Sequence, residues 1–459
     1  MDSKPPHLEM AASPRAAALA RTATATAIIL GSGVVTGFIT ARSLGPAGRG
    51  NLTAIVVWTS TLVYAGTVGL PDAVAYYTAA NAAVRDRIWV TAQAGALVLG
   101  LFVTLVGWAL FPLLFAQHDA GFISLARWYL VLFAVPCLGS LTACAWLQGT
   151  EASRAFNVSR AAVHVTGAVL MAGLYLAHDR SLSHFLAALL IANVTTWILA
   201  AWFGPVGAAL KLLPSKALMG PLLRYGVRVQ FGSWSSAANL RLDQLLLSLF
   251  ASAATLGIYV VAVSYANLLL TVAGSAAFVM LPDVVRAHQA GGVRACVAQW
   301  YRRVLWITLL VGTVLALTSG VVLPWLFGQA FASAVSIVTI LLLASVVLGL
   351  NQILTTAFRG IGAPQIASTS EVIGVAITVP ALILLLPHYG IFGAAVASLA
   401  AYAGTHLYLL WRVIGTLEVD GRSLVMLDGE DMTALWEGVV SVLKTCFRKM
   451  SGAVTPREI

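Results

Sequence analysis

Two charged residues stand where charge is expensive. Arg241 and Asp243 fall inside the apolar stretch 229–250, and an ionisable group at the centre of a membrane helix costs about 2.5–3.5 kcal/mol on insertion scales. Two residues apart on a helix means roughly 200° around it, so the pair cannot close on itself along the helix. Ser236, Asn239 and Asp243 follow the three- and four-residue spacing of one face, whereas Arg241 shares the other side with Trp234 and Gln244. The planar guanidinium fork of Arg241 suits the oxygens of a phosphate-bearing anion, with Asn239 and Gln244 as neighbouring polar contacts. Asp243 can take up a proton or Na⁺. An interhelical ion pair that fixes packing accounts for the same two charges.

The elements that position these residues must be membrane helices. The chain has 459 residues, 59% hydrophobic and 10% charged, with mean hydropathy +0.89, whereas a soluble domain carries roughly a quarter charged residues. A helix crosses about 30 Å of hydrocarbon with roughly twenty apolar residues. Twelve such stretches occur, at 22–41, 52–80, 89–115, 126–148, 158–177, 184–203, 229–250, 254–280, 304–327, 333–357, 368–386 and 390–411. The second is overlong and holds Pro71, which predicts a kink or a return to the surface. Before the first, residues 1–20 read as a short disordered cytoplasmic tail, and the apolar stretch behind it is too long for a cleaved signal.

Loops between spans set the orientation. Thirteen Lys and Arg lie in the even-numbered loops against four, Arg42, Arg49, Arg127 and Arg180, in the odd-numbered ones. Retention of positive charge on the cytoplasmic side places both termini there. The formal charge of +10 is then a membrane-surface property, and no nucleic-acid partner is expected. Cys137, Cys144, Cys296 and Cys446 are scattered without a CxxC pair, which indicates neither a disulfide framework nor a metal site.

The sequence repeats itself. Leu70-Pro71-Asp72-Ala73-Val74 recurs as Leu281-Pro282-Asp283-Val284-Val285, an offset of 211. Pro112-Leu113-Leu114-Phe115-Ala116-Gln117 recurs as Pro324-Trp325-Leu326-Phe327-Gly328-Gln329, and Leu147-Gln148-Gly149 matches Phe358-Arg359-Gly360. Each match falls at the same helix end in both halves, so the chain reads as a tandem duplication of six helices. Six being even, both copies insert in the same sense and are related by a pseudo-two-fold axis along the membrane normal, with a central cavity between them. The expected domains are an N-terminal six-helix bundle at 21–204, a cytoplasmic linker at 205–224 and a C-terminal bundle at 225–412. A cytoplasmic tail at 413–459 carries an amphipathic helix at about 430–450. That helix suits the headgroup plane or a docked partner protein.

At these residues the chain resembles a known family. The first-helix exit Ala41-Arg42-Ser43-Leu44-Gly45-Pro46-Ala47-Gly48-Arg49-Gly50, the Gly69-Leu70-Pro71 end of the second span, Arg241-Leu242-Asp243 and Leu256-Gly257-Ile258-Tyr259 are similar to the polysaccharide-transporter, or O-antigen flippase, family. That family belongs to the multidrug/oligosaccharidyl-lipid/polysaccharide exporter superfamily, and the likeness covers about residues 15–412. It implies an all-α, V-shaped exporter fold in a bacterial plasma membrane. It also implies alternating access that moves an undecaprenyl-pyrophosphate-linked oligosaccharide from the cytoplasmic to the outer leaflet, with membrane lipids around it and pathway glycosyltransferases or a polymerase as partners. Arg241 then meets the pyrophosphate near the midplane, and Arg160, Arg228 and Arg359 attract it at the cytoplasmic mouth. Ordinary positive-inside topology explains those three arginines equally.

Other polar residues have blander readings. Asp72 and Asp283 follow a proline and read as helix caps; Glu371 and His164 read as single groups that satisfy a neighbour. Ser32, Thr36 and Thr40, beside Gly33 and Gly37, suit close packing or a sugar-lined cavity. No GxxxxGK[ST], HExxH or GxSxG occurs, so no cofactor is expected and energy must come from an H⁺ or Na⁺ gradient or from consumption of the product. A drug or cation antiporter of the same superfamily is the main alternative, although the first span has no carboxylate. A membrane glycosyltransferase or polymerase needs clustered acids outside, where the odd loops hold Asp119 and Asp179.

Overall fold

The computed structural model describes residues 14–426 apart from 210 and 240, with the side chains of 14–20, 208, 209 and 231–239 left undescribed. The amphipathic segment 430–450 and the residues before Pro14 lie outside the described residues. Those described are helical almost throughout and form no strand. In order the helices are α1 Pro14–Gly66, α2 Leu70–Ala80, α3 Arg85–Leu114, α4 Ala120–Gly149, α5 Ser153–Leu176, α6 Leu182–Trp202 and the single turn α7 Val206–Ala209. They continue as α8 Lys216–Asn239, α9 Leu242–Phe250, α10 Ala253–Gln289, α11 Val293–Phe327, α12 Val335–Gly360, α13 Pro364–Leu417 and the short α14 Gly421–Val425. Helix α1 begins at Pro14 instead of 21, because proline is pre-organised for a first turn and the alanines at 16–18 and 20 are strong helix formers. Hydropathy marks the apolar window and is blind to such a start.

Nine helices among the described residues are long and apolar enough to cross a membrane. Two of them, α1 and α13, are each two helices joined through one glycine, Gly45 (φ 65°, ψ −176°) and Gly390 (φ 55°, ψ −134°). A side chain is disfavoured at such angles, which glycine adopts freely, and Pro46 restarts the helix at once. With α8 and α9 as one broken rod, these supply the twelve spans counted in the sequence. The expected loop at 42–51 therefore shrinks to a corner. The second span breaks at 67–69, where Gly69 is left-handed at φ 66°, just before the proline that predicted a kink.

The duplication is visible in hydrogen bonds. The end of α4 is closed by Ala152 N–H donating to Leu147 O at 3.1 Å and Thr150 N–H to Trp146 O at 2.9 Å. The end of α12, 211 residues on, is closed by Ala363 N–H to Phe358 O at 2.8 Å and Ile361 N–H to Ala357 O at 3.1 Å. Both turns need one left-handed residue, Glu151 (φ 60°) in the first copy and Gly362 (φ 80°) in the second. Gly149 and Gly360 lean on matching helices: an added Cβ would lie 2.6 Å from Ala75 O in one case and 2.6 Å from Val284 Cγ1 in the other. The copies also differ. Asp72 lies in the first turn of α2, whereas Asp283 sits inside α10 and pairs with Arg286 at 2.6 Å. The expectation that both cap a helix fails for Asp283, since α10 runs through Pro282 unbroken.

Two compact units emerge, one running to Val261 and including Trp325–Phe331, the other comprising Ala262–Pro324 and the residues from Ala332. The expected linker and the seventh span thus lie in the first unit. Its core joins α2, α3, α4 and α8 through buried Leu70, Trp89, Leu147 and Leu222, and Trp89 meets Trp146 edge-on at 5.2 Å. Three polar side chains here satisfy one another, as an apolar surround favours: Trp197 Nε1 donates to Gln93 Oε1 at 3.1 Å, and Gln93 Nε2 donates to Thr142 Oγ1 at 3.1 Å. In the second unit Tyr301, His406 and Asn351 form a chain across α11, α13 and α12, at 2.9 and 2.7 Å.

Candidate functional site

The sequence predicts one continuous helix over 229–250; the structure stops α8 at Asn239 and resumes with α9 at Leu242. Gly232, Ser233, Ser235, Ser236 and Asn239 are weak helix formers, and serine and asparagine favour helix ends. Arg241 occupies the gap with φ −137° and ψ −9°, and its carbonyl accepts from Leu245 N–H at 3.0 Å to open the first turn of α9. A break inside a span leaves the positive end of the outgoing half-helix at membrane depth, and a guanidinium stands beside it.

The two charges have different partners. Arg241 is exposed and donates from Nη1 to Ser60 Oγ at 2.7 Å; among the described residues no carboxylate pairs with it. Asp243 is buried, 8% exposed. One of its carboxylate oxygens accepts Gln244 N–H and the other accepts Tyr259 O–H, each at 2.7 Å. Gln244 is half-buried and enters this arrangement through its backbone. Asn239 ends α8, but its side chain, like those of Trp234 and Ser236, lies outside the described residues.

The broken rod runs antiparallel to the second limb of α1, residues 46–66. Trp58 Nε1 donates to Ser248 Oγ at 2.8 Å, Arg241 to Ser60, and Gln230 Nε2 to Tyr64 O at 2.9 Å. Beyond that limb, Gly69 and Gly226 bring backbones together: a Cβ on Gly69 would lie 2.1 Å from Gly226 O. Arg228 is exposed on α8. Arg160 is half-buried on α5, donates to Thr26 Oγ1 at 2.6 Å and lies 5.8 Å from the Phe156 ring. Arg359 is exposed in the last turn of α12, in the second unit. In the first limb of α1 the hydroxyls turn inward to their own helix, Thr36 to Gly33 O at 3.0 Å and Thr40 to Thr36 O at 2.6 Å.

Ser60 and Tyr259 are the hydrogen-bond partners of the two charges, contacts that the sequence did not predict. Ser60 has no sequence signal beyond a hydroxyl in an apolar span. Tyr259 closes Leu256-Gly257-Ile258-Tyr259, where a phenol among aliphatic neighbours signals a polar partner inside the protein.

A duplicated chain of membrane helices, interrupted where a charge is carried, is a polytopic membrane protein. Solved structures share that fold. The lipid II flippase MurJ, in an inward closed conformation, superposes with TM-score 0.72 over 95% of this chain and 99% of its own, at 14% identity. An inward-facing multidrug resistance MATE family transporter of the MOP superfamily gives 0.69 over 88% and 100%, at 16% identity. A MOP superfamily transporter from Pyrococcus furiosus gives 0.54 over 88% and 96%, at 15%. Residues 19–288 match the family described as polysaccharide biosynthesis protein, and the chain belongs to that family. An uncharacterised membrane protein of Methanocaldococcus jannaschii is 27% identical over 247 residues, 53% of this chain. The match takes in 48% of that curated relative, so the chain spans about half its length.

Proposed function

We propose that this protein flips an undecaprenyl-pyrophosphate-linked oligosaccharide from the cytoplasmic to the outer leaflet of a bacterial plasma membrane by alternating access, with both of its own termini in the cytoplasm. The observation that carries this reading is Arg241, a guanidinium without a described carboxylate partner, set at the break of a spanning helix. A diphosphate passing that level meets a fixed positive charge and the positive end of α9. Family membership and the likeness to a lipid-linked precursor flippase support the substrate class. Arg160, Arg228 and Arg359 then gather the anionic head at the cytoplasmic mouth. Asp243 takes the coupling proton, and protonation weakens the charge-assisted hydrogen bond that it accepts from Tyr259 O–H.

Export measured in cells that depend on this chain tests the proposal. Arg241→Ala is expected to lower polymer export about 10- to 100-fold, the size of one lost charge-assisted contact of roughly 1.5–3 kcal/mol, at unchanged membrane abundance. Export equal to the parent protein overturns the anion site. A second reading, a proton-coupled drug or cation antiporter, draws on the buried Asp243 carboxylate and the MATE likeness. It requires cation efflux that fails in Asp243→Asn while polymer export is untouched.

A further inference from the structure

The first unit carries a cation on the side where cations are scarce. Arg127 is one of the few basic residues at the ends that the charge asymmetry puts outside the cell. It is half-buried on α4, which starts at Ala120, so it stands roughly 10 Å inward of that helix start, near the level where headgroups give way to hydrocarbon. Its Nε donates to Trp108 O on α3 at 2.9 Å. That carbonyl needs a donor, because Pro112, four residues on, has no N–H to offer it. The guanidinium carbon lies 4.8 Å from the centre of the Trp108 ring, and Trp108 meets Trp128 edge-on at 6.0 Å. Both indoles are exposed.

Filling an orphan carbonyl does not account for the arginine. The second copy has the same proline, Pro324 inside α11, with Gly320 four residues before it. The positions that match Arg127 at offsets of 211 and 212 are Val338 and Thr339, so a helix with this proline does not require a cation beside it. Nor does a carboxylate hold Arg127. Among the described residues none pairs with it, and Asp119, the acid nearest to it in sequence, caps α4 by accepting Phe122 N–H at 2.7 Å. One of the five guanidinium N–H groups is spent on the carbonyl, and the Nη groups have no protein partner among the described residues.

We infer that Arg127, Trp108 and Trp128 form a binding site for the phosphate of an anionic phospholipid in the outer leaflet. The planar fork of the guanidinium suits two oxygens of one phosphodiester, and the Trp108 ring holds that fork in place from one face. Indoles belong at the headgroup level. Inward from them, exposed Leu101 and Leu105 share the α3 face of Trp108, and exposed Leu132 shares the α4 face of Trp128. The charged end therefore continues into an apolar track along which an acyl chain can lie. The site takes no part in the passage proposed above, and it stands whatever the cargo is.

Native mass spectrometry of the full-length protein, titrated in detergent with dioleoyl phosphatidylglycerol or dioleoyl phosphatidylcholine, tests this. The parent is expected to take up phosphatidylglycerol in preference. Arg127→Gln, which still offers an N–H to Trp108 O, is expected to weaken the tightest phosphatidylglycerol step about tenfold, the loss of one charge-assisted contact, and to leave phosphatidylcholine uptake unchanged. Arg180→Gln, which removes an exposed external charge before α6, leaves both unchanged. Should Arg127→Gln fail to accumulate, Trp108→Leu removes the ring, keeps the backbone carbonyl and is expected to weaken the same step severalfold. Equal phosphatidylglycerol affinity in the parent and in the variants of Arg127 and Trp108 overturns the site, and so does an equal loss in Arg180→Gln, which would make net charge the cause. Displacement of the Arg127-dependent phosphatidylglycerol by an equimolar amount of undecaprenyl diphosphate overturns the phospholipid as occupant.

Discussion

Arg241 and Asp243 show how much the break between α8 and α9 decides. Two positions apart, one points to Ser60 on α1 and the other is buried beneath Tyr259. The sequence reads as forbidding a mutual pair, and none forms, but the reason drawn from helical spacing fails: Arg241 sits in the break between α8 and α9, so no common helix sets the angle between them. Their partners were not legible in the sequence, because a serine and a tyrosine on other helices become neighbours only through packing. Arg241→Lys keeps charge but loses the planar fork; export is expected to fall between that of the parent and Arg241→Ala, and equal values for the two variants would show that the fork, not the charge, matters. Asp179, in the turn before α6, illustrates a residue that works outside the membrane. The Ser181 N–H first, and then His184, hold its carboxyl below the ordinary 3.8. A depressed carboxyl stabilises its turn above the unfolded value, and that help is lost as pH falls through the folded one. Protection of the Ser181 amide against hydrogen exchange is expected to hold at neutral pH and to disappear below the ordinary carboxylate range. Protection that persists there would mean the charge on Asp179 does not hold the turn.

Among the elements, helices were read correctly as spans but not as rods. Hydropathy counts apolar residues, and so separated the two limbs of α1 by a loop at 42–51 that the structure replaces with the single corner Gly45. The same method joined α8 to α9, because it averages the polar residues around Asn239 with the apolar ones on either side and does not see the break between them. Closeness between elements has its own signature in glycine. Gly149→Val sets a side chain against Ala75 O, a backbone oxygen that cannot rotate away, and overpacking of this kind costs about 1–3 kcal/mol. At Gly173 on α5 an added Cβ meets nothing within 4 Å, so Gly173→Val starts into open space. Thermal unfolding in detergent, followed by size-exclusion chromatography, is expected to show a clear fall in Tm for the first variant and a small change for the second. Similar values for both would mean that the α2–α4 contact yields freely.

At the scale of the molecule, the repeat carried most of what the sequence could say. An offset near 211 announced two like copies, and matching helix ends at Leu147–Ala152 and Phe358–Ala363 bear it out bond for bond. The division into compact units was less legible, since the seventh span and the start of the eighth pack with the first unit, an affinity written in side-chain contacts and not in the period of the repeat. Loss of the gene should leave the lipid-linked precursor accumulating on the cytoplasmic leaflet; extraction and mass analysis of polyprenyl-linked intermediates checks this, and an unchanged precursor pool would favour the antiporter. Duplication has one more consequence. Where the second copy has Gly362, the first keeps Glu151 at φ 60°, a backbone posture that costs an ordinary residue about 1–2 kcal/mol. The chain is in that sense its own homologue: each half is a tested draft of the other, and a stabilising change for one can be copied from its sibling without recourse to any relative.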